Sequence, residues 1–252
     1  VTTGVHMVEG IAISPDGRWL AYDSNVGGNQ DIYVRALSGG DVRRVTKDPA
    51  DDFVFDWSPD GSQLSFHSFR TGSRGIYTIS VEDLAVTEVV DTEAHERYPT
   101  WSPDGKAIAY LYGNSGEVRI TAAADSGWGE SVVLPDVRGT PRWSPVGQEI
   151  ASSMGNEIYV AQSSGAESRS MSLPEGRSAA GLAWSEDGRL LYVLSWDRSG
   201  WGIWSVPSSG GEPTLRVDGG GTPLGFIHID VQDDFVYYTT RQVNSDIWLL
   251  EF

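Results

Sequence analysis

Cysteine is absent from this 252-residue chain, which excludes disulfides, thiolate nucleophiles and thiolate-held metals. That absence suits an exported protein, so a periplasmic or extracytoplasmic location is expected. Basic residues are scarce: 18 Lys+Arg face 35 Asp+Glu, for a formal net charge of −17. A surface of that sign repels phosphate backbones and anionic lipid and argues against nucleic-acid or membrane-surface partners. No apolar run approaches the roughly 20 residues of a membrane-spanning helix, so no membrane insertion is expected. No basic-then-apolar leader opens the chain either. Its start, VTTGVHMVEG, carries no initiator Met, and a processed or trimmed piece is the expectation. Missing too are the GxSxG elbow, the GxGxxG fingerprint and the P-loop. Helical periodicity of useful length is found nowhere.

What is present is a phrase written again and again. ISPDGRWLAY begins at Ile13, WSPDGSQLSF at Trp57, WSPDGKAIAY at Trp101, WSPVGQEIAS at Trp143 and WSEDGRLLYV at Trp184. A degraded sixth copy, IDVQDDFVYY, begins at Ile229; the intervals are 44, 44, 42, 41 and 45 residues. A four-stranded propeller blade occupies about 40–45 residues. Six residues after the Ser column stand Leu20, Leu64, Ile108, Ile150, Leu191 and Val236, all apolar. Two further on come Tyr22, Phe66, Tyr110, Ser152, Val193 and Tyr238, the period of a pleated strand. Third strands follow at Asp31, Gly75, Glu157, Gly202 and Asp246, with a weaker one at Glu117, and fourth strands at Val42 and Thr87. S-P-D-G itself is turn chemistry: Pro presets φ, Asp caps the turn and Gly accepts φ > 0. Asp60 and Asp104 are therefore expected to be structural. A catalytic site is not made five times over, and the phrase is scaffold.

The phrase followed by D-I-Y resembles the TolB-like, WD-repeat-like β-propeller repeat, along essentially the whole chain. The resemblance implies an all-β, six-bladed β-propeller of four-stranded antiparallel blades. Similar repeats occur in sensor domains of some bacterial kinases and in gating propellers of prolyl-oligopeptidase-type and tricorn-type proteases. One domain, 1–252, is expected, with repeats at about 3–46, 47–90, 91–134, 135–174, 175–218 and 219–252. The last copy runs out after its third strand, while Val1 and Thr2 align with Val45 and Thr46 at the end of a fourth strand. The last blade is thus expected to be closed by the N-terminal segment.

Function is sought where the copies disagree. The loops between second and third strands vary freely: SNVGGNQ, SFRTGSR, LYGNSG, SMGN, SWDRSGWG and TTRQVNS. Variable loops on a rigid scaffold carry binding residues. Two positions before the Ser column stand Ala12, Asp56, Thr100, Arg142, Ala183 and His228, a mixture expected of a wet channel wall. Segments above this column carry His6, Asp51, Asp52, His95, Glu96, Arg97, Arg138 and Arg177, alternatively read as solvated loop charges paired between blades. Trp196 and Trp201 flank Asp197 and Arg198 in the longest loop, as a stacking platform or as cover for the blade edge. The main cavity is expected on this face, lined by Asp56, Arg142 and His228 beneath His95, Arg97 and Trp196.

His6, His95 and His228 are the candidates for a metal triad, but nothing in their linear spacing supports one. HERYP at His95 begins like HExxH but has Pro where the second His belongs. Neither metal nor other cofactor is expected. Asp51 and Asp52 are sequence neighbours, not the facing carboxylates of a glycosidase. The favoured reading is a non-enzymatic propeller that binds a protein segment or small molecule at the mouth of its channel. Two others stand beside it: a metal- or carboxylate-dependent glycan-active enzyme, and a sensor or gating propeller from a larger bacterial kinase or protease.

Overall fold

Alternation of apolar and polar side chains with period two makes each repeat a small antiparallel sheet. The computed structural model describes residues 8–125, 127–221, 228–233, 235–241 and 245–251. The first blade pairs Ile11–Ile13, Trp19–Ser24, Asp31–Ala36 and Arg43–Arg44 in chain order. The second repeats this order with Asp52–Trp57, Gln63–Ser68, Gly75–Ser80 and Val86–Val90. Blades four and five, with inner strands Thr140–Trp143 and Ser178–Trp184, are also four-stranded. The third has five strands, because Gly127–Trp128 and Val132–Arg138 both pair with Glu117–Ala124. The final sheet has three among the described residues: Ile229–Gln232, Phe235–Arg241 and Ser245–Glu251. The chain folds as an all-β propeller of antiparallel blades. No helix among the described residues is long and apolar enough to cross a membrane.

The core lies between blades, since a single sheet has two apolar faces and must bury both. Ala12, Ala21 and Ile32 of the first blade pack with Val54, Leu64 and Phe66 of the second. At the far side of the first blade, Ile11, Leu20 and Tyr22 pack with Tyr237 of the last sheet. Ile229–Gln232 accordingly packs against both Ser178–Trp184 and Ile11–Ile13. The proposed outer strand at residues 1–7 lies outside the described residues.

The recurrent turns are built as their chemistry requires. Ser58 Oγ donates to Asp60 Oδ1 at 2.6 Å and accepts from Gln63 N at 2.9 Å, while Asp60 Oδ1 also accepts from Ser62 N at 3.0 Å. Ser14–Asp16, Ser102–Asp104 and Ser185–Asp187 repeat the arrangement. These serine hydroxyls, with the backbone N–H two residues on, hold all four carboxyls below the usual carboxylate range. Gly61 takes φ 71°, a conformation Cβ disfavours. In the fourth copy Val146 replaces the Asp, and Ser144 Oγ donates instead to the Val146 carbonyl.

The sixth copy departs from its expected alignment. Val231 pairs with Val236, whereas Trp57 pairs with Leu64, so its turn is two residues shorter. Asp233 occupies that turn with φ 50°, a value tight hairpins demand. Val231 therefore stands in the Trp column, and Asp230, not His228, stands level with Asp56. His228 sits one pleat further along the channel.

Candidate binding channel

Inner strands ring the channel, and their side chains tie each blade to the next. Asp56 Oδ2 accepts from Trp101 N at 2.8 Å and from Thr100 Oγ1 at 2.9 Å. Thr100 Oγ1 in turn accepts from Trp143 N at 3.1 Å. At the seam between last and first sheets, Asp230 Oδ2 accepts from Ile13 N at 2.7 Å. The seam thus repeats a bond used between covalently consecutive blades.

Halfway along, the channel is pinched. Arg142 Nη2 donates to His228 Nε2, Nη1 to the Phe55 carbonyl at 3.3 Å and Nε to the Leu182 carbonyl at 3.2 Å. The Arg142 guanidinium lies 4.0 Å from the Phe55 ring centroid, and the Phe55 ring 4.6 Å from His228. Accepting at Nε2 fixes His228 as neutral imidazole with its proton on Nδ1. Burial, reinforced by Arg142, accordingly pulls its pKa well below the ordinary value. Burial also lowers the pKa of Arg142, while Asp56 and Asp230 oppose that fall.

Two chambers open from the waist. The turn-side chamber, about 440 Å³, has Asp56, Asp230 and Arg142 in its walls. Around them stand Trp57, Trp101, Trp143 and Trp184, with Pro15, Pro59, Pro103, Pro145 and Glu186 at the turns. Burial pushes the Asp56 carboxyl up to about 6 against the pull of Arg142, and raises Asp230 likewise. The loop-side chamber, about 330 Å³, is lined by Phe53, Phe55, His67, Arg74, Tyr98, Trp196 and His228, with Glu9 and Asp23 at the first blade. The expectation of the main cavity on the loop side does not hold: the larger channel chamber opens among the SPDG turns. A further groove of about 610 Å³ lies between the second and third blades, beside Trp101 and Trp128.

Bulges explain the loop-side wall. Strand pairing shifts between Val54 and Asp56, between Ala109 and Leu111 opposite Tyr98, and between Ala179 and Gly181. A bulge re-aims side chains, and here Phe55, Tyr98 and Ala180 all line the chamber. Tyr98 pays in backbone strain, with φ 57°. His67 stacks on Phe53 at 5.0 Å and meets Tyr98 edge-on at 5.7 Å. Burial, then Arg74 and Arg97, drive the His67 pKa down to about 3. Its Nδ1 and the Arg74 Nε are buried without a hydrogen-bond partner. Asp23 is buried and uses both oxygens to accept from Glu9 N and Gly10 N, each at 2.9 Å.

The sequence-selected residues divide between channel and scaffold. Asp56, Arg142, His228 and Trp196 line a chamber. Asp51 accepts from Gln30 N at 2.9 Å, and buried Asp52 pairs with Arg70 at 3.0 Å; both brace loops. His95 is exposed and accepts the Arg74 N–H, while Arg97 donates to the Gly113 carbonyl and lies 5.9 Å from the Tyr98 ring centroid. Arg138 is exposed away from both chambers. Trp201 packs 5.4 Å from Tyr238 over the blade edge. Glu96 accepts from Thr92, and Arg177 pairs with Asp197 at 3.3 Å. His6 lies outside the described residues. Among the described residues, no three His, Asp or Glu side chains converge to hold a metal. His67, Arg74, Tyr98 and Phe55 also line the loop-side chamber, although none of them stands in the inner-strand column. Only His67 had a signal in the sequence: with Asp23 it stands in a second-strand column that holds Leu111 and Leu194 in other copies.

Comparison with known proteins places this architecture. The family profile of the TolB beta propeller domain matches residues 4–134. No curated protein matches the chain in sequence. Among solved structures, TolB from Acinetobacter baumannii is similar with TM-score 0.72 at 16% identity, over 97% of this chain and 60% of that one. A putative TolB from Agrobacterium tumefaciens aligns with TM-score 0.53 at 20% identity, over 85% of this chain and 67% of the other. An oligogalacturonate lyase in complex with manganese aligns with TM-score 0.65 at 15% identity, over 92% of this chain and 70% of that one. At these identities the likeness is one of fold.

Proposed function

The chain belongs to the TolB β-propeller family, and from that premise we propose that it is a non-enzymatic binding scaffold whose loop-side channel mouth receives a protein segment or small molecule. The observation that carries this is the loop-side chamber: aromatic walls surround buried polar nitrogens of His67 and Arg74 that have no hydrogen-bond partner. Its volume of about 330 Å³ lies within the range of ligand pockets, roughly 300–1,000 Å³. The same reading makes residues 1–252 one six-bladed domain, with the N-terminal segment as outer strand of the last blade. Bonding of Asp230 to Ile13 N supports a ring joined there without a covalent link.

The test is a thermal-shift screen of peptides and small molecules against three proteins. Ala180→Trp narrows the loop-side mouth, and Pro103→Trp narrows the turn-side mouth. Ligands that stabilise the wild type are expected to be lost with Ala180→Trp and kept with Pro103→Trp. The reverse pattern refutes the assignment of the mouth. One feature favours an enzymatic alternative: the Asp56 carboxyl titrates near 6 in the other chamber, as a general acid would. Glycan cleavage abolished by Asp56→Asn is the result that would establish it.

A further inference from the structure

We propose that the loop-side chamber recognises a carboxylate carried on a flat apolar body. This rests on the reading of that mouth as the binding site and adds the chemistry of what enters. Two guanidiniums, Arg74 at the wall and Arg142 at the floor, face the chamber. Arg97 stands behind Tyr98 and adds positive potential. Against them stand Glu9 and Asp23. Asp23 spends both oxygens on backbone N–H groups, and burial raises its pKa well above the ordinary value. His67 and His228 remain neutral, so neither adds charge of either sign.

Desolvation leaves Arg74 short of stabilisation. Burial lowers its pKa, and the Glu9 carboxylate opposes that. Its guanidinium lies 4.7 Å from the Phe69 ring centroid, while Nε is buried with no acceptor. Nε itself is out of a ligand's reach, but Arg74 is only half-buried, and a carboxylate accepts in the plane of a guanidinium's outer N–H groups. The rest of the wall is flat and apolar: Phe53, Phe55, Tyr98 and the 42% exposed Trp196. Aromatic faces of this kind stack on a planar group. An ammonium in the same place would meet two guanidiniums and be repelled.

A free organic acid and a peptide end in the same chemistry, so the experiment uses both. Binding of 3-phenylpropionate, 3-phenylpropanamide and phenethylamine is measured by isothermal titration and by shifts of the Trp196 indole resonance. A second arm compares a pentapeptide ending in Phe with a free or an amidated C-terminus. The acid is expected to bind at least about tenfold tighter than its amide, and the amine not to bind. Arg74→Gln should remove that preference with an unchanged unfolding midpoint, and Arg74→Lys should restore part of it. Whichever acid binds more tightly, free or peptide-borne, identifies the source. Equal binding of acid and amide overturns the carboxylate assignment while leaving the mouth assignment standing. Failure of every probe overturns the inference outright. Binding that persists in Ala180→Trp overturns the mouth assignment instead.

Discussion

The two chambers share a waist but little else. On the turn side Asp56, Asp230 and Glu186 face one arginine between Trp and Pro walls. On the loop side Arg74 and Arg142 face Glu9 among neutral imidazoles and aromatic rings. Arg142 is the common wall, so one side chain sets the polarity of both ends. The repeats also build the two ends differently. Turn-side walls come from pleated positions of the inner strands, next to turn chemistry that four copies share. Loop-side walls come from bulges and from a second-strand position where the copies differ. The lesson is that a repeat protein varies its channel chemistry where its pleat is broken.

The largest effect should come from removing the shared wall. Arg142→Ala strips Asp56 and Asp230 of their counter-charge and should cost about 3–5 kcal/mol in denaturant unfolding at pH 7. The loss should shrink as pH falls through about 6, where Asp56 takes up a proton. A pH-independent loss would mean that the arginine acts by packing alone.

Next in size is a pH effect of the turn side. Asp56 titrates near 6 in the fold against an ordinary 3.8, because burial raises it. A carboxyl raised in this way binds a proton on folding, so its contribution to stability is present below about pH 4. It is lost as pH rises through about 6, by up to about 3 kcal/mol. Asp56→Asn should reduce the slope of the stability profile between those values, leaving the share of Asp23 and Asp230, whose carboxyls burial also raises. The turn carboxyls of Asp60 and Asp104 are lowered, have the opposite sign and act below pH 4. An undiminished slope in Asp56→Asn would place the titrating group elsewhere.

Smaller effects test the scaffold half of the comparison. Asp60→Ala or Asp104→Ala should each cost of the order of 1 kcal/mol with ligand affinity unchanged. Lost binding at unchanged stability would show that the turns belong to the site. Smallest of all, Val146→Asp supplies the one turn that lacks its carboxylate and should raise stability by about 0.5 kcal/mol.

Propeller architecture was legible in the sequence because its causes are local. Turn serines and aspartates bond within five residues, and the apolar columns follow from a period of two. The ends of the ring were less legible. A turn two residues shorter moved Asp230 into the place assigned to His228, and the degraded phrase gave no marker for the shift. Asp56, Arg142 and His228 were recognisable as channel residues because polar groups stand where a core column would be apolar. Phe55 and Tyr98 were not, because bulges at those positions override the alternation from which facing is inferred. Arg74 was one charge in a variable loop, and only the fold sets it against His67 and Tyr98. Asp51, Asp52 and Arg177 illustrate the converse: charges beside the channel whose partners are other loops.

The claim that the channel is divided into mouths of opposite preference is tested most directly with two spin labels of opposite charge. Indole N–H resonances report each chamber separately: Trp196 on the loop side, and Trp57, Trp101, Trp143 and Trp184 on the turn side. Titration with 4-carboxy-TEMPO should broaden Trp196 first, and 4-amino-TEMPO should broaden the turn-side set first. Broadening of the same resonances by both radicals, in the same order, would contradict the division.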